Sequence, residues 1–167
     1  NVEDMSGMFK NATSANPDVS NWDTSQVTNM YEMFFGARVA QPNVSNWNVG
    51  QVSDMSGMFD GATLANPDVK DWDVSNVTAM IGMFGNTVNA NPDVRHWDVS
   101  KVEFMDGMFK FTSLASPNVS EWDVSSVTSF GNIFLGAENA NPDLSRWTPR
   151  SILMVDRYEG FLNAFTN

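Results

Sequence analysis

Apolar and polar positions recur along this chain with a period of 25 residues, and no insertion or deletion breaks the register. Val2, Val27, Val52, Val77, Val102 and Val127 form one apolar column. Met5, Met30, Met55, Met80, Met105 and Phe130 form a second, and Met8, Met33, Met58, Met83, Met108 and Ile133 a third. Phe9, Phe34, Phe59, Phe84, Phe109 and Phe134 return in every row, as do the prolines from Pro17 to Pro142 and the tryptophans from Trp22 to Trp147. A row this short cannot bury its own apolar face, so neighbouring rows must bury it for each other.

Each row reads as two short elements. Val27, Met30, Met33, Phe34 and Ala37 have helical spacing and cover an arc of roughly 120° at the α-helical pitch. Ser25 precedes them as an N-cap, a choice repeated at Ser75, Ser100 and Ser125, with Gly50 standing in once. The other element follows the proline: Val69, Trp72 and Val74 suit a short strand better than a helix. Pro67 can precede a strand because it need not donate a ladder hydrogen bond there. Its ring pushes Asn66 towards extended geometry, as at Asn16, Asn91 and Asn141. Those amides are expected to bond the loop backbone or to stack in a ladder.

Stacked rows of this kind place strands in parallel. Parallel strands lie about 4.8 Å apart and packed helices ~8–10 Å, so the array should curve with its strands inside. The expected fold is therefore α/β: a leucine-rich-repeat-like, right-handed solenoid of strand-plus-helix repeats with short parallel strands. The solenoid spans residues 1–147 and a C-terminal cap residues 148–167. Thr148, Pro149 and Arg150 break the row pattern, and 149–165 is expected to be helical and to close the core. The N-terminal end shows no cap, so preceding rows or an upstream domain are expected to cover it.

The rows NVSNWNVGQVSDMSGMFDGA (43–62) and DVSNWDTSQVTNMYEMF (18–34) closely resemble the BspA-like bacterial surface protein repeat, related to leucine-rich repeats. The resemblance covers almost the whole chain. It implies an extracellular or cell-surface protein, large and often multi-domain, that acts in adhesion. It supplies no catalytic residues. One departure stands out: the segment before the tryptophan reads A-N-P-D-V where the family often carries F-N-x-x-[IL].

Composition narrows the partners. The 167 residues carry a net charge of −11, which repels phosphate backbones and argues against nucleic acid. The absence of cysteine excludes disulfides and thiolate metal sites. No apolar run reaches the length of a membrane span, so direct membrane insertion of this stretch is not expected.

No catalytic constellation is present. His96 is the only histidine, and no nucleophile is specifically placed beside it. No metal site and no cofactor are expected. The acidic columns (Asp23, Asp73, Asp98 and Asp123; Asp18, Asp68, Asp93 and Asp143) read as backbone-bonded turn residues, with a row of calcium sites as the competing reading. Function should live where exposed positions differ between rows. The two columns before the tryptophan differ most: Ser45 and Asn46, Lys70 and Asp71, Arg95 and His96, Ser120 and Glu121 form the candidate ligand-binding strip. Tyr31 and Phe35 replace mostly small or polar residues and are candidate partner contacts. The expected function is recognition or adhesion, with a host or prey cell-surface protein or glycan as partner and no enzymatic activity. The alternative is a rigid spacer within a larger surface protein.

Overall fold

The computed structural model describes residues 2–148. Among them there is no α-helix and no β-strand longer than a single bridge. The chain is a succession of tight turns joined by short extended links, repeated row upon row. Neighbouring rows meet at isolated parallel bridges that run Asp4 to Asn29 to Asp54 to Ala79 to Phe104 to Ser129. The expected α/β solenoid of strand-plus-helix, leucine-rich-repeat-like units is therefore overturned in both of its elements. The proposed cap lies outside the described residues, apart from Thr148.

The segment expected to be a helix is where the rows are bonded together. Met30, Glu32, Phe34 and Gly36 donate their backbone N–H groups to the Asp54, Ser56, Met58 and Asp60 carbonyls of the following row, at 2.7–3.0 Å. Between these bonds the chain folds back on itself. The Met33 N–H donates to the Met30 carbonyl at 3.2 Å, and the Ala37 N–H to the Phe34 carbonyl at 3.0 Å. The third residue of each such turn is left-handed: Glu32 has φ +52° and Gly36 φ +65°. That is the type II pattern, and it cannot be embedded in a right-handed helix. The same two columns hold Gly7, Gly57, Gly82, Gly107 and Asn132, and Asn11, Gly61, Asn86, Phe111 and Gly136.

Row spacing supplies a second reason. Phe34 and Phe59 stack with ring centroids 5.7 Å apart, Phe59 and Phe84 at 5.8 Å, and Phe109 and Phe134 at 5.6 Å. Packed helices need ~8–10 Å between axes, so this spacing admits extended or turn backbone and excludes helices. The mismatch expected to curve the array is also absent, because the tryptophan side, at 6.2–6.5 Å, is no tighter than the phenylalanine side.

The segment expected to be a strand makes two more turns. The Trp72 N–H donates to the Val69 carbonyl at 3.2 Å and the Val77 N–H to the Val74 carbonyl at 2.9 Å. Row-to-row bonding here falls to side chains. From the second row on, the indoles donate to a carbonyl 28 residues earlier: Trp47 to Val19, Trp72 to Val44, Trp97 to Val69 and Trp122 to Val94, all at 3.0 Å. Ser25 caps no helix; its N–H donates to the Asp23 carboxylate at 3.0 Å. The pre-proline amides do form a partial ladder. The Asn16 and Asn66 side-chain oxygens accept the N–H groups of Gln41 and Asn91 in the next row, at 2.8 and 3.0 Å.

The core fills the space between these two sides. Val27, Met30, Met33, Phe34 and Ala37 are fully buried, and their counterparts in the next rows follow. Each such phenylalanine or methionine contributes about 1.5–3 kcal/mol on burial. Thr87 and Thr112 stand in a column that is otherwise alanine, and both hydroxyls donate to the Phe84 carbonyl. The first row is the exception: Val2 is 48% and Met8 44% exposed, where Val27 and Met33 are at 0%.

Candidate functional site

The residues of the expected strip occupy equivalent turns in successive rows. Ser45 with Asn46, Lys70 with Asp71, Arg95 with His96, and Ser120 with Glu121 each occupy the turn before a tryptophan, half-exposed or exposed. The turns are closed by Asn or Asp two residues back. Ser45 donates its hydroxyl to Asn43 and Ser120 to Asn118, both at 2.9 Å. Arg95 makes two bonds of 2.9 Å to Asp93, and Lys70 lies 3.5 Å from Asp68. Glu121 pairs with Arg146 of the next row. The strip's charges are thus largely answered by neighbours, and such solvent-screened pairs add little to stability.

The acidic columns are turn residues. Asp23, Asp73, Asp98 and Asp123 each accept the backbone N–H of a serine two residues on, at 3.0–3.1 Å. Hydrogen bonding from those serines holds all four below the ordinary aspartate value of 3.8. Among the described residues, no group of three or more His, Cys, Asp or Glu is placed to hold a metal ion. Tyr31 stands free at the surface. Phe35 does not: Lys10 sits over its ring at 5.5 Å, and the ring lies against Gly57 of the next row.

A concave site lies elsewhere, on the bonded side of rows three to six. It is a groove of about 270 Å³. Its lining includes two glycines that stand where other rows carry side chains. Gly85 occupies a column that elsewhere holds Lys10, Phe35, Asp60, Lys110 and Leu135. Gly131 occupies one that elsewhere holds Ser6, Tyr31, Ser56, Ile81 and Asp106. A carboxylate lies over each glycine. A Cβ on Gly85 would stand 3.2 Å from the Asp60 Cγ, and one on Gly131 3.2 Å from the Asp106 Oδ1.

Both carboxylates are anchored by one oxygen. Asp60 Oδ1 accepts the Asn86 amide at 2.8 Å. Asp106 Oδ1 accepts the Ser129 hydroxyl at 2.6 Å and the Gly131 N–H at 3.0 Å. Burial pushes the Asp60 carboxyl above its ordinary value, against the Asn86 bond and the Lys110 charge. Lys110, held over the Phe111 ring at 5.2 Å, and Asn132 complete the polar lining, and Ile81 is its one apolar side chain. Sequence reasoning missed this site. The signal was present as glycine in columns that otherwise carry side chains, but only stacking brings the carboxylate of the preceding row against each glycine.

Two overlapping stretches, residues 1–94 and 78–164, match the family described as Mycoplasma protein of unknown function, DUF285. No curated protein matches the chain, and no solved structure does. The resemblance to the BspA-like surface repeat is corrected accordingly: the family matched is another, and the backbone lacks the strand and helix of a leucine-rich-repeat-like unit.

Proposed function

We propose that this chain, which belongs to the DUF285 family, is a recognition module that binds a protein or glycan partner at the cell surface or outside the cell. The observation that carries the reading is the groove over Gly85 and Gly131, a concave polar site formed where rows depart from their own pattern. Uniform stacking needs no such departures. The lining holds anchored acceptors and a lysine but no nucleophile–base pair, which favours binding over catalysis.

The test is a binding screen of the folded chain against glycans and intact cell surfaces, with and without calcium. Gly85→Leu fills the groove with a residue type its column accepts at Leu135. Charge reversal at Lys70 and Arg95 alters the turn strip. Binding lost in the first variant assigns recognition to the groove, and binding lost in the second assigns it to the strip. A folded chain that binds nothing, or a native protein found wholly in the cytosol, sinks the proposal. The first outcome would leave the spacer reading, which the unbroken phenylalanine stack from Phe9 to Phe134 supports.

A further inference from the structure

We infer that the groove takes a neutral, hydroxyl-rich ring, one saccharide unit of a larger glycan. The inference rests on the recognition reading above and names its ligand class. At about 270 Å³ the groove is smaller than the ~300–1,000 Å³ sites that enclose drug-sized molecules, so it suits a single ring with the rest of the ligand outside.

The lining decides the chemistry. Asp60 and Asp106 are each held through Oδ1, and among the described residues neither Oδ2 receives a hydrogen bond. Asp60 and Asp106 therefore each bring one unspent carboxylate oxygen to the lining. Lys110 and Asn132 supply donors, and neither side chain is spent on a hydrogen bond among the described residues. A hydroxyl both donates and accepts, so a polyol satisfies both halves of this lining at once. An anion would face two carboxylates. A simple cation would face Lys110 and find only two carboxylates. An apolar ligand would find Ile81 alone and would leave polar groups unpaired. The anchoring through Oδ1 sets the acceptors before the ligand arrives, which lowers the ordering cost of binding.

The experiment titrates the intact chain calorimetrically with glucose, galactose, mannose and N-acetylglucosamine, with methylamine and acetate as charged probes. The expected result is saturable binding of at least one sugar and of neither charged probe. Asp60→Asn should weaken that sugar by at least about tenfold, the loss of one charged hydrogen bond. Gly85→Leu should abolish it, and Gly85→Lys, which follows Lys10 and Lys110 in the same column, should do the same. Thermal unfolding confirms that each variant is folded. Sugar binding that survives both Gly85 variants overturns the inference, as does saturation by methylamine or acetate with no sugar bound. If the chain captures a cell-surface partner that none of the sugars displaces, the saccharide inference falls and recognition stands. If neither sugars nor cell surfaces are bound, both fall.

Discussion

The Phe111 ring lies on the bare backbone of Gly136, one row along, so closely that a Cβ there would come within 2.2 Å of ring Cδ1. Both residues are left-handed, Phe111 at φ +55° and Gly136 at φ +65°. The large side chain of one row is thus accommodated by the missing side chain of the next. Gly136→Ala should destabilise the chain by about 1–2 kcal/mol from its backbone conformation alone, with the ring clash adding to that. In a Phe111→Gly background the clash disappears and only the backbone part should remain. Denaturant unfolding of the two single variants and the double variant measures the coupling. Strict additivity would mean that the ring does not rest there.

Gly107→Ala separates turn from helix by sign. Gly107 has φ +60°, and an added Cβ would meet only the Lys110 side chain, at 3.6 Å. In a helix interior, alanine would gain about 1 kcal/mol over glycine. At a left-handed turn position it should lose about as much. A lower thermal midpoint is the expected outcome, together with a far-ultraviolet circular dichroism spectrum lacking helical minima.

The tryptophans should not be equivalent. Trp72 is buried and its indole donates to the Val44 carbonyl at 3.0 Å. Trp72→Phe removes that bond, leaving the carbonyl only the Trp47 N–H at 3.1 Å, and should cost about 0.5–1.5 kcal/mol from the lost bond alone. Trp22 is only partly buried, and its indole donates to no carbonyl among the described residues. Trp22→Phe should cost clearly less. Equal losses in chemical unfolding would contradict the indole-to-carbonyl ladder.

Acid should weaken the stack. Hydrogen bonds from Ser20, Ser25, Ser75, Ser100 and Ser125 hold Asp18, Asp23, Asp73, Asp98 and Asp123 below their ordinary value of 3.8. A carboxyl depressed by folding stabilises the fold above its unfolded value and ceases to do so as pH falls through the folded one. The thermal midpoint should therefore drop as pH falls from 3.8 downward. Asp60 runs the other way. Its raised value means a contribution present at low pH and lost as pH rises through the folded value. Asp60→Asn should accordingly raise the midpoint at neutral pH and leave the acid limb in place, which a pH series of melts would reveal.

Much of the interior was legible in the chain. The Val, Met, Phe and Trp columns are buried because apolar side chains leave water whatever backbone carries them, and the aspartates before Ser25 and Ser75 bond the turn because their reach is local. The backbone path was not. Spacings of three and four residues belong to a helix and equally to a run of overlapping turns, so Met30, Met33, Phe34 and Ala37 read the same in both. Glycine at 57, 82 and 107, in what would be helix interiors, is the local sign against the helix. Two facts settle the path: left-handed residues recurring in those columns, and aromatic rings stacked 5.7 Å apart between Phe34 and Phe59. The groove lay further still from view. Asp60 and Gly85 share a column but not a row, and a carboxylate becomes one wall of a cavity only when the next row passes beneath it without a side chain. Composition and period act through each residue's own chemistry, whereas the handedness of turns and the shape of a cavity depend on what the neighbouring row places alongside.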